Sequence, residues 1–395
     1  LFTQGVGGYL LLALGGLIEG SLLQPGEAVL AASRQSRSTT QSPWLWSLAR
    51  GLLLATPVVL VLTALLTVAD LAFGQSVRDG LQALGLDDLG LVTARLVFTV
   101  VAAWAALGFL TLALRQRAVP EDTGKAHAWS VLGFTEAAVI LFSVNGLFLA
   151  FGVFQARYLF GGEANITETG FTYADYARRG FGELVAVALI VLALGLILQR
   201  LTSLKSAFAS LGFKALTVLL VLQTGVLLAS AFTRMRLYEE AYGFTELRVL
   251  TQVFMIWLAV VLLAYAITVL LDRPRLIALG GLVAAMGFIA TLDVINLDGL
   301  IAHENIQRDL LESVRLDEPD SRYGDTFDYL YVLSLSDDAV PELMTVLSHA
   351  DPDVRAEAQK TLSDRRAALE ATWEADGLWS WSWARQEALR VLGPE

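Results

Sequence analysis

The sequence predicts an all-α fold: a polytopic helical membrane protein with about eight membrane-spanning helices and a small soluble C-terminal helical tail. Three observations predict it. Of 395 residues, 55% are hydrophobic and 17% charged, and the mean hydropathy is +0.58; soluble domains carry about 25% charged residues. The apolar residues come in blocks of about 20, the length a helix needs to cross a bilayer core. The net charge of −11 is uneven. From Ile295 onward there are 21 Asp/Glu against 9 Lys/Arg, so the membrane part is close to neutral and the tail carries the charge.

Taken in order, the spans are expected at 6–18 (partial), 47–73, 91–115, 130–156, 178–199, 210–232, 248–271 and 276–294. The chain opens without Met inside an apolar segment, so preceding residues are expected. Residues 6–18 lack the basic start and small-residue cleavage site of a signal peptide. A polar linker at 19–46 ends its most polar part in Ser/Arg/Thr/Gln and reads as solvated. The transmembrane domain is placed at 1–294 and the acidic tail at 295–395.

Loop charges set the orientation. The loops after the odd-numbered spans hold nine basic and five acidic residues; the alternate loops hold seven basic and nine acidic. The first set is expected on the cytoplasmic side, which puts the tail outside. Within the tail, Ser336 and the acidic residues after it suit a helix start. Asp351 with Pro352 suits another, as cap and first helical residue. The run 351–362 looks like the second helix of a HEAT-type repeat, so one HEAT-like helix pair is expected.

Three charged aromatic segments flank the spans, and all three fall on the expected outer face. In 171–183, Thr172 and Asp175 have capping-box spacing. Tyr173, Tyr176, Gly180 and Glu183 share a helical face, and Arg179 lies four residues before Glu183, a pairing distance. Glu183 is the sharpest residue, because an unpaired carboxylate at a membrane end is costly. In 238–248, Tyr242 precedes Glu246 and Arg248, which point to different faces. Pairings of Arg179 with Glu246, or of Arg248 with Glu183, would satisfy two segments at once. In 296–308, Asp293, Asn296 and Asp298 crowd the start. Tyr173, Tyr176, Arg179, Glu183, Tyr242, Glu246 and Arg248, together with Arg157, Asn305 and Arg308, form the candidate ligand- or partner-binding set. The structural reading stands beside it: an interfacial Tyr/Arg belt with ion pairs. Asn145, Lys214, Gln223 and Gln252 are polar residues within spans and are expected to bond neighbouring helices. Gly280, Gly281 and Gly287 read as packing positions.

Several chemistries are excluded. There is no cysteine, hence no disulfide, thiolate nucleophile or Cys-ligated metal. His303-Glu304 lacks the second histidine of a zinc motif, because position 307 is Gln307. The aspartates at 325, 328, 337 and 338 lack the order of a calcium loop. Phosphate-loop, nucleophile-elbow and dinucleotide motifs are missing. The acidic tail argues against nucleic acid. No cofactor is expected.

From about Asn145 onward the chain resembles a bacterial family of polytopic membrane proteins known as a domain of unknown function, number four-one-seven-three, with its relative four-one-five-three. The motifs are Gln155-x-x-Tyr158 followed by Gly161-Gly162, the run 172–184, the run 242–248, and Asn296-x-Asp298 leading to Asn305 and Arg308. Asp328-Tyr329-Leu330, the run 335–341 and Trp379-Ser-Trp381 up to Arg385 follow. His303 and Glu304 depart from the family pattern. The resemblance implies a fold and a topology, and no activity; the expected location is the bacterial inner membrane.

The expected function is that of a non-catalytic subunit, scaffold or sensor. Its partners would be the bilayer, other membrane chains and an anionic lipid. The alternatives are a transporter of a small anionic solute and an enzyme acting on a lipid or glycan headgroup. The scarcity of charges within spans counts against the transporter, and the missing nucleophile and metal set counts against the enzyme.

Overall fold

A computed structural model describes residues 43–83, 132–159, 180–315, 328–349 and 351–393. The described residues are helical, without strands, in the order α1 (Pro43–Ala69), α2 (Leu71–Ala83), α3 (Phe134–Leu159), α4 (Phe181–Leu201), α5 (Ala207–Tyr242), α6 (Glu246–Leu270), α7 (Leu276–Ile295), α8 (Leu297–Arg315), α9 (Tyr329–Ser334), α10 (Val340–Val346), α11 (Pro352–Asp376) and α12 (Trp383–Leu392). Single 3₁₀ turns sit at Asp337–Ala339 and Gly377–Ser380.

Six helices are long and apolar enough to cross a membrane: α1, α3, α4, α5, α6 and α7. They coincide with six of the expected spans. The described count is therefore six rather than about eight; the spans expected at 6–18 and 91–115 lie outside the described residues. Residues 43–46 of the expected linker are helical, because α1 starts at Pro43, where a missing N–H costs nothing. Helix α5 runs about ten residues past its expected end at 232. Its polar extension is supported by Arg236 pairing with Glu240 one turn on (3.7 Å) and by Tyr238 packing edge-on against Tyr242 (5.1 Å).

The chain forms two compact units. One holds α1 to α4, α5 up to Ala231, and Leu262–Leu276. Here α1 packs along α3 and α4. Gly51 permits the approach: a Cβ there would lie 2.9 Å from that of Val139. Beside it, Arg50 pairs with the buried Glu136 at 3.1 Å, and Glu136 also accepts from the Gly133 N–H. The polar residues within spans bond other helices, as expected. The Asn145 amide donates to the Leu216 carbonyl (3.2 Å), Gln223 donates to the Asn145 carbonyl (3.4 Å), and Lys214 reaches Asp272 (2.6 Å). Tyr265 lies fully buried on Gly195, where a Cβ would meet its hydroxyl at 2.6 Å.

The other unit holds Phe232–Val261 and residues from Ile277 onward. Gly287 of α7 receives the Trp257 ring of α6, and the Trp257 indole N–H donates to Thr291 (3.0 Å). Gly281 has open space around it. One residue, Asn296, links α7 to α8. It adopts a left-handed conformation (φ 50°) and its side chain accepts from the Gly299 N–H (3.1 Å).

Helices α8 to α12 close over an apolar core of Ile301, Ala302, Val332, Leu333, Val340, Leu343, Ala358 and Leu362, joined by Val249 of α6. Complete burial of a side chain such as Leu343 stabilises by about 1.5–3 kcal/mol. Asp351 caps α11 through the Asp353 N–H (2.8 Å), as the sequence suggests. Ser336 is a correction. It holds the capping position before Asp337, but its side chain makes no capping bond. Its main chain is engaged instead: the N–H donates to Asp298 (3.0 Å), and the carbonyl accepts from Arg365 (2.9 Å).

Candidate functional site

The polar residues of the second unit gather at the turn between α5 and α6. Helix α5 ends at Tyr242, and the next residue, Gly243, has φ +78°. That conformation is left-handed and favours glycine. Space demands glycine as well, because a Cβ would stand 2.6 Å from Asn305 Oδ1. Asn305, on α8, grips the next residue from both sides: its Oδ1 accepts from the Phe244 N–H and its Nδ2 donates to the Phe244 carbonyl, each at 2.8 Å. The amide thus satisfies a main chain that neither helix can satisfy.

Arg248, in the first turns of α6, folds back over the end of α5. It donates to the Tyr242 and Gly243 carbonyls. A cation at a helix C-terminus also meets the negative end of the helix dipole. Its guanidinium lies 4.2 Å from the centre of the Tyr238 ring, within cation–π range. Arg308 of α8 donates to the Glu239 carbonyl (3.4 Å). The Glu246 N–H donates to the Tyr331 hydroxyl (3.2 Å), joining α6 to α9. Burial, with the Glu246 and Asp298 charges, pushes the Tyr331 phenol up.

The Glu239 side chain is the most enclosed group of the cluster, 1% exposed. Gln252 donates to one of its oxygens. The other, Oε1, has no hydrogen-bond partner among the described residues. The charges of Arg248 and Arg236 bear on it.

A second polar group lies at the α7–α8 link. Asn296 donates to the Asp338 carbonyl (3.4 Å), and Asp298 accepts from Ser336. Burial, then Asp298, Asp337 and Asp293, push the Asp338 carboxyl up. His303 pairs with Glu342 (3.1 Å) and His349 with Asp309 (2.8 Å), both tying α8 to the segment of α10. Among the described residues no group of three or more His, Cys, Asp or Glu is placed to hold a metal.

The family model described as Domain of unknown function (DUF4153) matches residues 4–346. The chain belongs to that family. Neither a curated protein nor a solved structure matches it. The resemblance read from the motifs began near Asn145; the DUF4153 match extends it to residue 4 and covers all six described membrane helices. The chain is thus a polytopic helical membrane protein of the DUF4153 family, whose description names no activity.

In this DUF4153 chain, five of the ten residues singled out from the sequence converge: Tyr242, Glu246, Arg248, Asn305 and Arg308. Arg248, Asn305 and Arg308 grip the protein's own main chain, whereas the Glu246 side chain is exposed. Tyr173, Tyr176 and Arg179 lie outside the described residues, and Arg157 falls in the last turn of α3. Glu183 stands half-buried in the first turn of α4, behind Gly180 with φ 89°. It belongs to the first unit, whereas Arg248 and Glu246 belong to the second. Sequence reasoning missed Glu239, Tyr238 and Tyr331 in the cluster, and the Arg50–Glu136 pair in the first unit. Glu239 and Glu240 are neighbours about 100° apart on one helix. Only the face that meets α6 tells which of them is buried.

Proposed function

We propose that the protein is a non-catalytic subunit, scaffold or sensor of the bacterial inner membrane. In this reading the α5–α6 turn and α8 form a junction that seats the tail (295–395) on the outer side of the transmembrane domain (1–294). The tail, with α10 and α11 as a HEAT-like pair, meets a partner chain or an anionic lipid. The observation that carries the reading is the use made of Arg248, Asn305 and Arg308. One group of each, Nη1 of Arg248 and of Arg308 and Nδ2 of Asn305, holds a main-chain carbonyl of α5 or of the turn after it. The loop charges support the outer placement.

The test is the size of the native assembly. Membranes solubilised in a mild detergent should release the wild-type chain in a complex larger than one copy. Asn305→Ala should release a smaller species while the membrane helices stay protease-resistant. A wild-type chain that runs alone would overturn the scaffold reading.

A second reading, a transporter of a small anionic solute, has one observation in its favour. Glu239 places an unpartnered carboxylate oxygen inside a span, as an ion-coupled path requires. Proteoliposomes that accumulate a small carboxylate, and stop doing so with Glu239→Gln, would establish it.

A further inference from the structure

The tail displays two indoles to its surroundings: Trp381 is 56% exposed and Trp383 is 75% exposed. Isolated exposed apolar residues are ordinary. These two are held in place by local construction. Arg385 donates to the Ser380 carbonyl (2.8 Å), closing the segment that carries both rings. Ser382, between them, caps α12 by accepting from the Arg385 N–H (3.2 Å). Ser380 in turn donates to the Gly377 carbonyl (2.8 Å). The rings are therefore presented by a hydrogen-bonded segment, Trp381 just before α12 and Trp383 at its first residue.

That segment is tied to the place where the chain leaves the membrane. Arg385 Nε lies 3.7 Å from Asp337. The next residue, Asp338, accepts at its carbonyl from Asn296, the single residue after α7. Helix α7 ends its apolar run at Ile295, and Val294 there is 82% exposed. A short chain of contacts within one compact unit thus links the two indoles to the end of a membrane helix. Indoles partition to the headgroup layer, where the ring meets acyl chains and the N–H meets water or phosphate.

We infer that Trp381 and Trp383 form an interfacial anchor, inserted into the headgroup layer of the leaflet that α7 leaves. The occupant of this surface is lipid. The anchor fixes the tail against the bilayer independently of any partner chain, and it goes beyond the junction reading without resting on it.

The absence of cysteine allows a local test on the full chain. Trp383→Cys is spin-labelled in nanodiscs of phosphatidylethanolamine and phosphatidylglycerol. Collision with oxygen, which concentrates in lipid, is compared with collision with a water-soluble nickel chelate. Lys360→Cys on exposed α11 is the aqueous control. The label at 383 should favour oxygen several-fold over the control. Equal nickel access at 383 and 360 would overturn the anchor. Exclusion of both reagents at 383 would also overturn it, by showing that protein covers the site. The position is exposed, so the fold does not depend on it; Trp381→Cys, read the same way, must agree.

Discussion

Asn305→Ala tests the junction at its centre. Asn305 is 7% exposed and makes two hydrogen bonds to one residue, Phe244, each at 2.8 Å. Truncation removes both and leaves an N–H and a C=O in a crowded turn. Leaving a buried polar group unsatisfied costs about 1–3 kcal/mol. Water reaches part of this half-buried turn, so the expected loss is about 2–4 kcal/mol for the pair. At about 1.4 kcal/mol per tenfold, local opening should rise at least about 30-fold. Hydrogen exchange on the full chain in nanodiscs reads this directly. The Phe244 amide, and the amides of α8 around 305, should lose protection while α1 and α3 keep theirs. Unchanged protection at Phe244 would refute the reasoning, because that amide has no other hydrogen-bond partner among the described residues. Loss of protection throughout the chain would refute it as well, by showing that the effect is global.

Three further outcomes are expected. Gly243→Ala should destabilise the turn by about 1–2 kcal/mol for its left-handed backbone, and further by pushing on Asn305; a thermal melt of the detergent-solubilised chain reads it. Gln252→Leu removes the only described donor to Glu239. Loss of a side-chain hydrogen bond costs about 0.5–1.5 kcal/mol, to be seen as a lower melting point that Gln252→Asn does not fully restore. Asp338 has its carboxyl raised from the ordinary value of 3.8. Its ionisation is therefore disfavoured in the fold, and the stability it contributes is present below that value and lost as the pH rises through the folded pKa. Asp338→Asn should strengthen protection of α8 to α10 at pH 7, and the difference should vanish in acid below the ordinary aspartate range.

The membrane class and six helices were legible because lipid imposes a length and an apolar composition that few other folds need. The partners of Asn145, Lys214, Gln223 and Gln252 were legible in kind, since an amide or ammonium within a span must bond something. Their identity was not, because it depends on which helices adjoin. The convergence of Tyr242, Glu246, Arg248, Asn305 and Arg308 was legible as a shared location. Their use was not. An arginine beside a helix end serves an anion or a carbonyl equally well in sequence, and only the left-handed turn at Gly243 exposes the carbonyls that Arg248 takes. The end of α5 was misplaced because hydropathy falls at 232, whereas the helix continues on tertiary contacts and i,i+4 pairs. Ser336 illustrates the same limit: its residue type suits a cap, but Asp298 takes its N–H and fixes the loop another way.

The central claim is that the α5–α6 turn holds the tail through α8 and α9. Its most direct test uses Glu246→Cys with Tyr331→Cys, positions joined by the bond from the Glu246 N–H to the Tyr331 hydroxyl. In a chain without other cysteines, a short bis-maleimide applied to native membranes should link this pair nearly completely and leave Glu246→Cys with Lys360→Cys unlinked. Failure to link 246 with 331, or equal linking of both pairs, would contradict the junction.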